Sequence, residues 1–261
     1  MENLEIDNLA KDFFSDCKLI YSSGKDPNSR KILLVGATRE RYDHIKKNLP
    51  SFIEKADDIK NLKFIIGVDE DDAETTAHII EFIKESYSDV MFEIYEFDRL
   101  GYKNMHVYQN TLILQDGLDN NPFIFQWSDD LNMNTNKWDS NIISKYCNNT
   151  PLIVFTEVSS GAGMGREITF FFTSILLKVT NFLLLCDTAT DRFSREVGKS
   201  TGIFKKDNSI SQSHNRPEDK VFRDARSYTG SPASWGSKAP IKNKVINLIN
   251  EFKKNADKDK K

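Results

Sequence analysis

Five short apolar runs set the fold class of this chain. Lys31–Ala37 (KILLVGA), Leu62–Asp69 (LKFIIGVD), Met91–Phe97 (MFEIYEF), Phe123–Trp127 (FIFQW) and Pro151–Val158 (PLIVFTEV) each have the length of a strand. Between the first four lie segments with helical spacing. In Arg39–Glu54 the apolar positions are Tyr42, Ile45, Leu49, Phe52 and Ile53, and in Asp72–Ser86 they are Ile79, Ile80 and Ile83. Asn104–Gln115 reads as a third helix. Strands that are apolar along their length are covered on both faces, and strands alternating with helices build βαβ units. The expectation is an α/β fold with a mainly parallel, Rossmann-like sheet flanked by helices.

The second half is less regular. Ile168–Cys186 (ITFFFTSILLKVTNFLLLC) is long enough to cross a bilayer, but Lys178 lies near its middle and Asn181 follows. Its first part is rich in Phe, Thr and Ile, so it reads as a buried strand followed by a turn or short helix, and no integral membrane segment is expected. Ala189–Lys199 reads as a helix, Lys205–Arg226 as polar with scattered apolar positions, and Tyr228–Pro240 as a loop. Ile241, Val245, Leu248, Ile249 and Phe252 fit a terminal amphipathic helix over 241–255. Residues 1–30 are polar, end in a loop (Ser22–Arg30) and contain no unbroken apolar stretch of the kind a signal peptide carries. With no repeat and no clear linker, one domain is expected over 1–261.

Charge and cysteines narrow the function classes. A net charge of −3 provides no global basic field for nucleic acid. Cys17, Cys147 and Cys186 are odd in number and widely spaced, so a disulfide framework is not expected, and a reducing, cytoplasmic compartment is. The four histidines (His44, His78, His106 and His214) form no HxxxH or HExxH pattern, which argues against a histidine-built zinc site. No GxGxxG follows the first strand, and there is no GxxxxGK[ST], so nicotinamide dinucleotide and P-loop chemistry lose support.

In an open parallel sheet, ligands bind beyond the carboxyl ends of the strands. Thr38 and Arg39 follow the first strand, Asp69–Asp72 end the second, and Ser128-Asp129-Asp130 follow the fourth. Asp129 and Asp130 suit Mg²⁺ or Mn²⁺, which take oxygen ligands and bridge carboxylates to substrate phosphates; a solvated turn is the plainer alternative. Asp69 can accept hydrogen bonds from a base or ribose, or simply begin a helix whose dipole favours acids. Arg39 can hold a phosphate or lie in a solvated helix start. Gly101-Tyr102-Lys103-Asn104 and Asn110 sit between the third and fourth strands, where a glycine lets a ligand approach the backbone or merely forms a loop. The Gly161–Gly165 stretch is a lid or a surface loop. His214 lies among polar residues, exposed or completing a metal site with Asp130. Asp187 and Asp191 offer a general base or a helix cap.

Taken together, these motifs resemble the nucleotide-diphospho-sugar transferases of the GT-A fold, especially the family-2-like glycosyltransferases. Thr38–Arg41 (TRER) is similar to the family's opening segment, and Ile65–Asp72 (IIGVDEDD) to its second-strand segment, whose first acid contacts the nucleotide. Leu100–Asn104 with Asn110 resembles the stretch before the metal motif. Phe125–Asp130 (FQWSDD) with Lys137-Trp138-Asp139 resembles the DxD-type metal motif, although it reads Ser-Asp-Asp, and Arg41-Tyr42 replaces a frequent proline. The resemblance implies a nucleotide-sugar half over 31–140 and an acceptor-side half over 150–225. It implies nucleotide-sugar contacts from Thr38, Arg39, Asp69, Gly101, Tyr102, Asn110 and Asp129. It further implies Mn²⁺ or Mg²⁺ on Asp130, Asp129 and His214, and a base in Asp191 or Asp187. The donor would be a UDP- or GDP-type sugar, and the acceptor a glycan, lipid or protein hydroxyl. Two other readings stay open. A nucleotidyltransferase would need a triphosphate grip near the first loop, where only Gly36 and Arg39 are available. A non-catalytic binding module would use exposed Trp127, Trp138 and Trp235 as a contact surface.

Overall fold

The computed structural model describes residues 8–24, 30–101, 104–118, 121–146, 150–161, 169–184, 186, 190–214 and 239–258. The first four apolar runs form β2 (Ile32–Ala37), β3 (Leu62–Asp69), β4 (Met91–Phe97) and β5 (Phe123–Gln126), with β1 (Lys18–Ser23) ahead of them. β2 pairs in parallel with β3 and β5, and β3 pairs in parallel with β4. The connecting helices are α1 (Tyr42–Glu54), α2 (Ala73–Ser86) and α3 (Met105–Asp116). The parallel core expected from the apolar runs is therefore present.

Alternate side chains feed two separate cores, one on each face of the sheet. Ile32, Leu34, Phe64, Ile66 and Phe125 pack with Ile45, Leu49, Phe52, Ile79 and Ile83 of α1 and α2. Leu33, Val35, Ile65 and Ile124 pack with Tyr108 and Leu112 of α3, and with Val245 and Ile249 of the last helix. This two-sided burial explains why these strands read as unbroken apolar runs.

Past β5 the chain forms β6 (Leu131–Met133), α4 (Trp138–Tyr146), β7 (Ile153–Gly161), β8 (Phe170–Thr173), α5 (Ser174–Thr180), α6 (Thr190–Thr201), β9 (Phe204–His214) and α7 (Ala239–Lys258). The nine strands make one sheet in the order β1-β4-β3-β2-β5-β8-β7-β9-β6. β8 is antiparallel to both β5 and β7, while β7 and β9 are parallel, so β7 and β9 run in the same direction as β5. The carboxyl ends of β2, β3, β4, β5, β7 and β9 therefore share one edge. Within the Ile168–Cys186 segment, the described residues form a strand followed by a short helix, and no helix among the described residues is long and apolar enough to cross a membrane.

Three features differ from the sequence reading. The described part of the polar N-terminal region holds a 3-10 turn (Asn8–Phe13) and the edge strand β1, antiparallel to β4. β1 is largely exposed, with Leu19 at 48%, so it carries no burial pattern to read. β9 occupies the start of the polar stretch after Phe204; an irregular register against β7 breaks its alternation. Trp127 and Trp138 are buried, at 3% and 0% exposure, rather than presented on a surface. The Trp138 indole donates to the Phe52 carbonyl at 2.9 Å, and the ring packs edge-on against Phe52 and Phe125. Trp235 lies outside the described residues.

Candidate functional site

Short backbone bonds draw the strand ends together at the carboxyl edge. The Thr38 amide donates to Gly67 O at 3.0 Å, the Glu70 amide to Phe97 O at 2.9 Å, and the Trp127 amide to Val35 O at 2.9 Å. Gly36 is a packing residue. A Cβ there would sit 2.7 Å from both the Trp127 ring and its carbonyl oxygen, so the close approach of β2 to Trp127 requires glycine.

The two adjacent aspartates after β5 have different surroundings. Asp129, 3% exposed, turns back toward the loop after β2. Its Oδ2 accepts from the Thr38 hydroxyl at 2.7 Å and its Oδ1 pairs with Arg41 at 3.1 Å. The Asp129 carbonyl accepts from the Asn48 side chain of α1 at 2.7 Å. Burial pushes the Asp129 carboxyl above the ordinary range, with Arg41 pulling against it and Asp130 adding to it. Asp130 accepts from the Ser128 hydroxyl at 2.6 Å, and its Oδ2 lies 3.1 Å from Nε2 of His214. Burial would raise this carboxyl too, but the bond to His214, with Ser128 and Arg41, outweighs it and holds Asp130 below the ordinary range. Environments that separate the ionisation of neighbouring carboxylates divide their roles.

Strand pairing brings His214 to Asp130. β6 and β9 are antiparallel with Leu131 opposite His214, so the last residue of β9 flanks the residue next to Asp130. The half-buried imidazole leaves Nδ1 buried and without a hydrogen-bond partner among the described residues. Further anchors fix this stretch: Met133 N donates to the Ser51 hydroxyl at 2.8 Å, and Lys55 donates to the Met133 carbonyl at 2.7 Å. Sequence reasoning did not single out Asn48, Ser51 or Lys55, although Asn48 and Ser51 sit on one side of α1 and Lys55 caps its end at the same spacing.

A second cluster joins β2 to β3. Arg39 pairs with Asp69 at 3.1 Å and with both oxygens of Asp71, and its other amine meets Glu40 at 3.2 Å. Asp71, then Asp69, hold the guanidinium more firmly protonated, against the effect of burial. The other oxygen of Asp69 accepts from the Tyr108 hydroxyl. The Glu40 amide donates to Asp72 at 2.7 Å. Tyr108 was not a sequence candidate; its helical register within α3, two residues before Asn110, is the only signal for it.

The remaining candidates are more spread out. Gly101 has φ +74 with open space where a side chain would be, so its backbone conformation, not crowding, favours glycine. Asn110 is fully buried in α3. Asp191 is half-buried in the first turn of α6. α6 leads into the start of β9. Burial raises the Asp191 carboxyl above its ordinary range despite Arg195, Arg192 and the backbone amides of the helix start. Tyr102 and Asp187 lie outside the described residues, as does 162–165 of the glycine-rich stretch. Among the described residues no group of three His, Cys, Asp or Glu side chains is arranged to hold a metal by itself.

No protein-family model matches the chain, and no curated protein matches it in sequence. Solved structures do match. The mannosyltransferase PcManGT from Pyrobaculum calidifontis, in complex with GDP-Man and Mn²⁺, aligns over 87% of this chain and 72% of its own, with a TM-score of 0.54 and 12% identity. The fold is GT-A-like. TarS 1–349 of S. aureus in complex with UDP-GlcNAc aligns over 85% of this chain and 71% of its own, with a TM-score of 0.58 and 12% identity. The same protein with UDP aligns over 75% and 63%, with a TM-score of 0.54 and 13% identity. At such identity the likeness concerns the path of the chain. In this GT-A-like frame, Asp69, Asp130 and His214 lie at the carboxyl edge of a single sheet.

Proposed function

We propose that this protein is a metal-dependent glycosyltransferase that moves a sugar from a UDP- or GDP-type nucleoside-diphosphate sugar to an acceptor hydroxyl on a glycan, lipid or protein. The observation that carries the reading is the meeting of Asp130 and His214, 84 positions apart in sequence, at 3.1 Å on the carboxyl edge of a GT-A-like sheet. The neighbours' ligands, GDP-Man with Mn²⁺ and UDP-GlcNAc, support the donor class.

The residues fit a divalent cation. Asp130 supplies a carboxylate held ionised, and His214 offers a nitrogen whose bond to Asp130 can be exchanged for a bond to metal. Two protein donors suffice for Mn²⁺ or Mg²⁺ when phosphate oxygens and water complete the shell. When bound, the cation offsets the negative charge that develops on the departing diphosphate. Asp129 supports this stretch from behind: its oxygens are taken up by Thr38 and Arg41, which lock the loop after β2 against it. On this reading Thr38 and Asp129 shape the nucleotide-sugar site, while Asp69 binds the nucleoside and Arg39 steadies the nucleotide end. Gly101 belongs to the same half, and the buried Asn110 supports it from within α3.

In an inverting reaction Asp191, or Asp187, takes the proton from the acceptor hydroxyl. A carboxyl raised by burial, as Asp191 is, makes a stronger base at neutral pH. The halves 31–140 and 150–225 act as one domain around the continuous sheet, in a cytoplasmic compartment. The alternative of a binding module loses two of its three tryptophans, since Trp127 and Trp138 are interior.

The test is transfer or hydrolysis of UDP- and GDP-sugars with Mn²⁺. EDTA abolishes activity, and Asp130→Ala lowers kcat/KM by about 100-fold or more, because electrostatic stabilisation of the leaving group is lost. Activity that survives both treatments rules the mechanism out.

A further inference from the structure

Tyr108 occupies a junction that no part of the mechanism above requires. It is 3% exposed, on the first half of α3, with its ring edge-on to Phe97 at a centroid separation of 4.8 Å. Gly67 of β3 makes room for it. A Cβ at Gly67 would come within 3.4 Å of the Tyr108 ring and 3.2 Å of Phe97. The phenol oxygen accepts from the Leu100 amide at 3.0 Å and donates to Oδ1 of Asp69. The turn that carries Leu100 is itself closed. Asn104 donates to Leu100 O through its side chain at 2.7 Å and to Gly101 O through its amide at 3.0 Å, with Gly101 at φ +74. One hydroxyl thus joins the end of β3, the turn before α3, and α3 itself.

We propose that Tyr108 is a positioning residue for the nucleoside, fixing the Asp69 carboxylate and the Leu100–Gly101 turn as one rigid unit on which the nucleoside part of the donor rests. This rests on the reading above, in which Asp69 contacts the nucleoside. The chemistry requires a hydroxyl. A carboxylate offers about four acceptor sites, so Asp69 retains capacity for donors on a base or ribose after accepting from Tyr108 and Arg39. Without the phenol, Oδ1 loses the bond that opposes Arg39, and the carboxylate is free to turn toward the guanidinium. Burial, and then Asp69, keep the phenol proton in place well above neutral pH, so the donation persists across any assay range.

The experiment measures Kd for UDP and for GDP, each with Mn²⁺, by titration calorimetry on wild type, Tyr108→Phe and Tyr95→Phe. Tyr95 is a matched control: another buried phenol on a carboxylate, Glu93 at 3.1 Å, in the neighbouring strand β4. Tyr108→Phe raises Kd for the preferred nucleotide about tenfold, the effect of losing one hydrogen bond to a charged group. Its KM for the donor rises in step with little change in kcat, and Tyr95→Phe leaves Kd unchanged. Equal binding by Tyr108→Phe and wild type overturns the proposal, as does equal weakening in Tyr95→Phe. Failure of the wild type to bind either nucleotide instead overturns the glycosyltransferase reading, and the role of Tyr108 with it. Should Tyr108→Phe not fold, hydrogen exchange on wild type decides. The Leu100 amide gains protection on nucleotide binding, and unchanged protection overturns the proposal.

Discussion

Asp129 and Asp130 are adjacent in sequence, yet the fold separates their tasks. Removing the Asp129 charge takes away one side of its ion pair with the largely buried Arg41 at 3.1 Å. Breaking one side of a buried ion pair costs about 3–5 kcal/mol. Asp129→Asn is therefore expected to lower unfolding free energy by about 3 kcal/mol in urea titrations, whatever it does to turnover. Asp130→Ala is expected to act first on metal-dependent turnover. Asp191 leads to a pH prediction. Its carboxyl is raised by burial, so it holds its proton to higher pH than an ordinary aspartate, about 3.9. If it serves as base, kcat falls as pH drops through its ionisation, giving an acidic limb above that ordinary value. A kcat profile that stays flat down to pH 4, or full activity in Asp191→Asn, removes Asp191 from the role.

At the scale of elements, the Asp207 carboxylate ties β9 to α4. Asp207 of β9 pairs with Lys145 at 3.0 Å, accepts from the Tyr146 hydroxyl at 3.0 Å, and accepts from the Ser209 amide and hydroxyl at 2.9 and 2.6 Å. Burial raises this carboxyl, but those donors outweigh it and hold it below its ordinary value. A depressed folded-state value means that the stabilisation is complete above the unfolded value, about 3.9, and disappears as pH falls through the folded one. Asp207→Asn is expected to destabilise the protein by about 2 kcal/mol at pH 7, with the difference from wild type shrinking below pH 4. Urea midpoints at the two pH values check this. Because β9 also carries His214, loosening its tie to α4 should weaken the metal response as well. Elsewhere the sequence pattern hides a charged interior. Lys63, inside the apolar run of β3, lies 2.8 Å from Glu93 and also pairs with Asp116, which Arg30 meets at 3.3 Å. Two cations balance two carboxylates there, so a lysine that breaks the run is compatible with a buried strand.

At the scale of the whole molecule, the GT-A-like sheet makes one edge out of strands drawn from both halves of the chain. A ligand gripping that edge stabilises the folded state by mass action, about 2.7 kcal/mol at a hundredfold excess over its Kd. UDP or GDP with Mn²⁺ is expected to raise Tm by several degrees, and EDTA to reverse most of the shift. Thermal scans with neither nucleotide effective at millimolar concentration would contradict the proposed donor class.

The apolar runs of β2, β3, β4, β5 and β7 and the spacing of α1 and α2 were legible because burial on two faces, or on one helical stripe, imposes a short sequence period. The order of Thr38, Asp69 and Asp130 along those runs was legible for the same reason: each lies at or shortly past the end of a strand. β1 and β9 were not, since an edge strand and a strand with irregular register show no uniform burial. Nor were the partners of the site residues. His214 reaches Asp130 through the β6–β9 ladder, and Tyr108 reaches Asp69 across the packing of α3 on β3. Periodicity reports which face of an element is dry; which side chains meet on the wet edge depends on strand order and register, and these exist only once the sheet has assembled.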